Sequence, residues 1–122
     1  MWDGFNKRKF PRLSLRCELT LRNQSAASQV LTGQTENVGA GGVCIILPHP
    51  LERFSVVSIR LELDPNLPWI ECLGKVVWSV PAREVATQKK SFDTGIEFLK
   101  LDPGQQDLIR SYVISRLEES IN

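Results

Sequence analysis

The chain has 122 residues, of which 42% are hydrophobic and 24% charged, and its formal net charge is +1. A single domain of this size buries a sufficient core without disulfides or structural metal ions. The nearly neutral charge argues against binding to duplex nucleic acid, because that binding depends on many contacts between basic side chains and phosphates.

The first twelve residues are predicted to form a flexible, basic arm. Between Lys7 and Arg16 there are five basic side chains and no acidic one. Pro11 fixes its own φ and disfavours helical geometry at the residue before it, so a regular helix is not expected here. Arg8 and Arg12 carry planar guanidinium groups, which recognise phosphates and the O6/N7 edge of guanine. We therefore assign residues 1–12 to the arm and 13–122 to one folded domain.

Alternating apolar and polar residues predict short β-strands after the arm. The alternation is found in residues 15–21, 30–35, 43–47, 54–63, 70–80 and 92–98. Polar segments rich in Gly, Pro and Asn separate them and indicate turns. Gly74, inside the fifth segment, predicts a bend or bulge, and Trp69 and Trp78 are predicted to pack the barrel. Many short strands of this kind favour an antiparallel barrel or sandwich.

The C-terminal segment predicts a helix over about residues 103–119. Asp102 is a favourable N-cap, Pro103 suits the first helical position, and Gln105 completes a capping box. Apolar side chains then recur at helical spacing and predict one stripe that packs against the barrel. The stripe consists of Leu108, Ile109, Tyr112, Val113 and Leu117.

Residues 37–42, with the sequence Asn37-Val38-Gly39-Ala40-Gly41-Gly42, predict a glycine turn. Glycine lets the backbone approach a ligand closely, and Gly41 and Gly42 would leave room for the ligand and allow positive φ angles. The side-chain amide of Asn37 is suited to bind a base or backbone edge. Together with the two arginines of the arm, this turn predicts a nucleotide-binding surface.

The remaining polar residues predict neither an enzyme nor a cofactor or metal site. Cys17, Cys44 and Cys72 are widely spaced without a CxxC pair, and they are predicted to be buried free thiols. Unpaired thiols and the lack of an apolar signal segment favour a cytoplasmic protein without membrane insertion. His49 is the single histidine and is expected on a surface turn. Asp93 and Glu97 are expected to be solvated surface charges.

The segments Arg8-xxx-Arg12 and Asn37-x-Gly39-x-x-Gly42 resemble the paired signature of the PilZ domain family, RxxxR followed by D/NxSxxG. Residues 35–43, 74–78 and 95–98 and the closing helix extend the resemblance over about residues 7–117. The resemblance implies a six-stranded antiparallel β-barrel with a C-terminal helix. It also implies a bacterial, cytoplasmic and non-enzymatic receptor for cyclic di-GMP that signals through a partner protein.

The resemblance also implies roles for individual residues. Arg8 and Arg12 correspond to the arginine pair that wraps the guanines and phosphates of the dinucleotide. Asn37 and Gly42 stand at the two ends of the second motif. Lys7 stands where the family varies the residue that influences whether one or two ligand molecules bind. Ligand binding is expected to order residues 5–13 across the face of the barrel.

Gly39 departs from the family pattern, which usually has serine at this position. A neutral hydroxyl contact contributes about 0.5–1.5 kcal/mol, so weaker binding is expected. The departure raises an alternative, a protein-interaction module that binds cyclic di-GMP weakly or not at all. A third hypothesis is binding to single-stranded nucleic acid, which requires aromatic side chains beside the basic ones. Near the arm the sequence offers Phe5 and Phe10, which give this hypothesis little support.

Overall fold

The computed structural model describes residues 15–22, 28–82 and 90–121. The predicted arm, with Lys7, Arg8 and Arg12, lies outside these residues. The described chain forms six strands and a helix: β1 (Arg16–Arg22), β2 (Ser28–Gly39), β3 (Gly42–Leu47), β4 (Val56–Glu62), β5 (Ile70–Pro81), β6 (Phe92–Leu99) and α1 (Pro103–Ile121).

The strands form a closed antiparallel barrel in the order β1-β2-β3-β6-β5-β4. Pairing of β1 with β4, in which Cys17 lies opposite Leu61, closes the barrel and gives each strand two neighbours. Closure satisfies the backbone groups that an open sheet would leave at its edges. The structure confirms the predicted six-stranded antiparallel barrel with a C-terminal helix.

Apolar side chains at alternate strand positions fill the barrel interior. Those that are almost completely buried include Leu19, Val38, Val43, Ile45, Leu47, Ile59, Leu61, Ile70, Val76 and Ile96. Gly74 belongs to this packing, because a Cβ there would lie 2.6 Å from Ile96 Cγ2 and closer still to Ile59. Of the bend or bulge predicted at Gly74, the bulge is not found there, since the register of β5 shifts between Val76 and Trp78 instead. Glycine is needed here to make room for two isoleucines.

Helix α1 begins with the predicted capping box. The Gln105 N–H donates to Asp102 Oδ1 over 2.8 Å, and the Asp102 N–H donates to Gln105 Oε1 over 3.4 Å. Ile109 and Val113 are buried in the barrel core, whereas Leu108 is exposed. The apolar stripe is therefore narrower than the sequence pattern predicts. Among the described residues, no helix combines the length and the apolar character needed to span a bilayer.

Phe54 and Trp69 differ from their predictions. Phe54 has a φ of 71°, in the left-handed region that an extended strand does not use, so β4 begins at Val56. Trp69 lies outside the barrel core, where its ring centroid is 4.6 Å from Arg60 Cζ and 5.8 Å from Arg16 Cζ. Cation–π contacts of this length position the indole beside charged strand residues.

The three cysteines are free thiols, as predicted, and Cys17 and Cys44 are buried, but Cys72 is only partly buried. Burial raises the pKa of Cys17 to about 12, with a smaller contribution from the neighbouring Cys72. Burial likewise raises the pKa of Cys72 to about 11. Both thiols are therefore protonated at neutral pH and lack the thiolate that reacts with oxidants and disulfides.

Candidate functional site

The hairpin of β2 and β3 carries the second motif. Gly39 pairs with Gly42, so Ala40 and Gly41 alone form the turn. The motif thus lies mostly in paired strands, and the turn is shorter than predicted. None of the described glycines has a positive φ, so Gly41 and Gly42 do not use the left-handed conformation that glycine allows. The Gly41 carbonyl accepts a hydrogen bond of 2.9 Å from the Phe98 N–H, which joins the turn to β6.

A β-bulge at Glu36 determines on which face of the barrel the Asn37 side chain lies. The pairing register of β2 with β3 shifts between Thr35 and Asn37, so Glu36 is the extra residue. After the bulge, Asn37 lies directly opposite Cys44. The two neighbours of Cys44 along β3 belong to the barrel core, and Cys44 therefore faces outward. Opposed residues share a face of a sheet, so Asn37 faces outward as well.

Asn37 is the first residue of a row that crosses four strands on the outer face. Asn37 pairs with Cys44, Cys44 with Gly95, and Gly95 with Trp78. A Cβ at Gly95 would lie 2.5 Å from Trp78 Cδ2 and Cη2, so the indole covers this glycine. A second bulge, between Val76 and Trp78, turns the tryptophan away from the core. Trp78, predicted to pack the barrel, thus lies on its outer face.

The side chain of Asn37 is buried without a hydrogen bond. It is 1% exposed, and neither Oδ1 nor Nδ2 has a hydrogen-bond partner in the described part of the chain. Thr35, on the same strand and 2% exposed, accepts a hydrogen bond of 2.9 Å from the Leu15 N–H. An unsatisfied buried polar group costs about 1–3 kcal/mol, so native structures retain few of them. Asn37 is therefore a candidate to bind a ligand.

Two acidic residues adjoin Cys44, the second residue of this row. The Cys44 Sγ–H donates to Asp93 Oδ1 over 2.8 Å. One donor atom each of Glu36, Cys44 and Asp93 lies within 4.8 Å of the other two. Asp93 is thus a bonded neighbour of the site rather than the solvated charge that the sequence predicted. Sequence spacing missed this group because its members come from β2, β3 and β6.

The first described residue of the chain is bonded to the strand that carries Asn37. The Thr35 N–H donates to the Leu15 carbonyl, and the Leu15 N–H donates to Thr35 Oγ1, both over 2.9 Å. Asn37 is two strand residues, or about 7 Å, beyond Thr35. Arg8 and Arg12, the two arginines predicted to bind the ligand, lie outside the described residues.

Comparisons with known proteins agree with this fold. The sequence matches the family model of the PilZ domain over residues 6–115. The PilZ domain of YcgR from Escherichia coli, solved with c-di-GMP, is similar with a TM-score of 0.67 and 11% identity, covering 94% of this chain and 95% of that one. A search of curated proteins finds no match.

Two larger proteins also contain a similar structure. The Bacillus subtilis inhibitor of motility MotI gives a TM-score of 0.69 and 15% identity, covering 92% of this chain and 52% of that one. MrkH of K. pneumoniae gives a TM-score of 0.72 and 13% identity, covering 93% of this chain and 49% of that one. The chain thus spans about half the length of these two proteins. At such identities the likeness establishes the fold.

Proposed function

This chain belongs to the PilZ domain family, and we propose that it is a non-enzymatic receptor for cyclic di-GMP. The dinucleotide would bind on the outer face of the barrel, along the row from Asn37 to Trp78. The buried amide of Asn37, with neither polar atom bonded within the described chain, carries this proposal. An amide offers a donor and an acceptor together, and a guanine presents partners for both.

Two further features support binding of a guanine dinucleotide. The indole of Trp78 over Gly95 provides a flat apolar surface, and stacking of a base on an aromatic ring contributes about 1–3 kcal/mol. Arg8 and Arg12 would bind the phosphates and guanine edges, with Lys7 adding charge beside them. A dinucleotide with two phosphates carries about −2 charge, and charge-assisted hydrogen bonds contribute about 1.5–3 kcal/mol each.

The attachment of β1 suggests how binding is transmitted. The chain enters the barrel at Leu15, which is bonded to Thr35 two residues before Asn37. A ligand that bridges the two arginines and Asn37 would hold residues 5–13 against the outer face of the barrel. That change would alter the surface offered to a downstream protein in the bacterial cytoplasm, where we place the receptor.

Calorimetric titration of the full chain with cyclic di-GMP tests the proposal. Saturable heat is expected, and Arg12→Ala is expected to weaken binding at least tenfold, the equivalent of one lost charge-assisted hydrogen bond. Arg110→Ala is the matched control, because Arg110 forms an exposed ion pair of 3.9 Å with Asp107 on α1. Folded protein that gives no heat at high micromolar ligand, or equal affinity in the Arg12 variant, would contradict the proposal.

The alternative function is a protein-interaction module that binds cyclic di-GMP weakly or not at all. Gly39 favours it, because the family's usual serine hydroxyl is missing. A Cβ at Gly39 would meet no atom within 4 Å, and the φ of this residue is not positive. Neither the backbone conformation nor the space around the Cβ position therefore requires glycine here.

Gly39→Ser is expected to tighten cyclic di-GMP binding about two- to tenfold, because one neutral hydrogen bond contributes about 0.5–1.5 kcal/mol. The melting temperature is expected to stay the same, since the added atoms enter open space. Gly39→Ala is the control, as it adds the Cβ without the hydroxyl. If only Gly39→Ser binds cyclic di-GMP, the result supports the interaction module as the function of the natural chain. If Gly39→Ser binds the dinucleotide more weakly than the natural chain does, the missing hydroxyl has no role in binding.

A further inference from the structure

We propose that Glu36, Cys44 and Asp93 form a binding site for zinc(II) on the outer face of the barrel. We call these three residues the outer-face cluster. Each offers one donor atom, and the three atoms all lie within 4.8 Å of one another. They come from the bulge in β2, the middle of β3 and the start of β6. The proposal concerns a metal ion and does not depend on the nucleotide proposed above.

The distances suit a tetrahedral ion after small side-chain rotations. Zinc binds a thiolate at about 2.3 Å and carboxylate oxygens at about 2.0–2.2 Å, which places tetrahedral donors about 3.5 Å apart. The Cys44 Sγ lies 2.8 Å from Asp93 Oδ1 and would separate slightly as the ion enters. The bulge contributes directly, because Glu36 is the extra residue and its carboxylate joins the outer face.

The donor set selects the kind of metal. Magnesium and calcium take oxygen ligands, whereas one thiolate with two carboxylates suits a borderline-soft ion such as zinc. Binding breaks the S–H bond of Cys44, the sulfur keeps the electron pair as its bond to zinc, and the proton passes to the buffer. Cys44 is 2% exposed, while Glu36 and Asp93 are partly exposed and leave the ion a path from solvent.

Asn37 provides a second, independent indication. It lies directly opposite Cys44, is 1% exposed, and has no hydrogen-bond partner for Oδ1 or Nδ2 among the described residues. Three protein donors leave one tetrahedral position for water. Because Asn37 lies opposite Cys44 on the same face, its amide would be able to bond to the metal-bound water. The ion would thus satisfy a buried group that the described barrel leaves unbonded.

Titration of the reduced full chain with cobalt(II), without nucleotide, tests this site. Cobalt replaces zinc in tetrahedral sites and reports a thiolate ligand by a charge-transfer band in the near ultraviolet. We expect this band together with visible tetrahedral bands at one cobalt per chain, and their loss when zinc is added. Cys44→Ser is expected to abolish the charge-transfer band, and Asp93→Asn is expected to weaken cobalt binding at least tenfold.

Cys72→Ser is the matched control, because Cys72 is a partly buried thiol outside the outer-face cluster. It is expected to leave the spectrum unchanged. The proposal is overturned by folded wild-type protein that shows no charge-transfer band with excess cobalt, by a band that survives Cys44→Ser, or by one that disappears in Cys72→Ser. Because nucleotide is absent, a negative result here leaves the cyclic di-GMP proposal intact, and a failed nucleotide titration leaves the zinc proposal intact.

Discussion

Replacing Asn37 with leucine is expected to raise the free energy of unfolding by about 1–3 kcal/mol and to weaken cyclic di-GMP binding about a hundredfold. The two effects have one cause. Asn37 is 1% exposed, and its amide has no hydrogen-bond partner in the described chain, so folding removes it from water without compensation. Leucine has a similar shape and no such cost. It also leaves the polar groups of a bound guanine unpaired, which accounts for about 3 kcal/mol of lost affinity.

Thr35→Val is a control that is expected to change the free energy of unfolding in the opposite direction. Thr35 is on the same strand and equally buried, but its Oγ1 accepts a hydrogen bond from the Leu15 N–H. Removing that acceptor is expected to lower the free energy of unfolding by about 1–3 kcal/mol. Denaturant unfolding and calorimetric titration of both variants measure the effects. If Asn37→Leu destabilises the protein as Thr35→Val does, the amide has a bonding partner in the apo protein. Unchanged affinity would remove Asn37 from the site.

A buried polar group without a hydrogen bond, such as the Asn37 amide, is characteristic of a binding site. The protein loses stability where a side chain is left unbonded so that it can bind a ligand. The contrast between Asn37 and Thr35 cannot be seen in the sequence. Both are small polar residues; Thr35 ends a strand that alternation predicts, and Asn37 begins the glycine turn predicted two residues later. Their difference depends on Leu15, which lies 20 residues earlier and whose N–H reaches one of them and not the other.

Local patterns predicted the barrel well for a physical reason. Residues that face one closed interior must alternate along each strand, and the capping box at Asp102 depends on neighbours three residues apart. Both are short-range features that a sequence displays directly. The closure of six strands into a barrel came instead from the family resemblance, and the order of the strands is a finding of the structure.

The outward positions of Asn37 and Trp78, which escaped prediction, follow from the two bulges. An extra residue at Glu36 and another at Val77 each reverse the alternation, so side chains beyond them change faces. Strict alternation along β5 predicts that Trp78 faces the core, whereas its side chain lies on the outer face. The same reversal brings Asn37 opposite Cys44. A bulge depends on pairing with a distant strand, and nothing in the local sequence marks either position.

Replacing Gly95 with alanine is expected to lower the free energy of unfolding by about 1–3 kcal/mol and to weaken cyclic di-GMP binding in the same variant. The added Cβ would lie 2.5 Å from Trp78 Cδ2 and Cη2, well inside van der Waals contact. The indole must therefore move away from β6, and the strands must adjust around it. The flat surface proposed to stack a guanine moves with it. Denaturant unfolding and titration of the variant measure the two effects.

A double-mutant cycle with Trp78→Ala identifies the cause. Once the indole is gone, Gly95→Ala is expected to change stability by less than about 0.5 kcal/mol or to raise it slightly, because alanine suits a strand better than glycine. The coupling energy between the two positions is then about 1–3 kcal/mol. Gly39→Ala, whose Cβ enters open space, is expected to leave stability unchanged. Equal costs with and without Trp78 would mean that the glycine serves the backbone of β6 rather than the indole. In that case loss of binding in Gly95→Ala would no longer be evidence that Trp78 contacts the ligand.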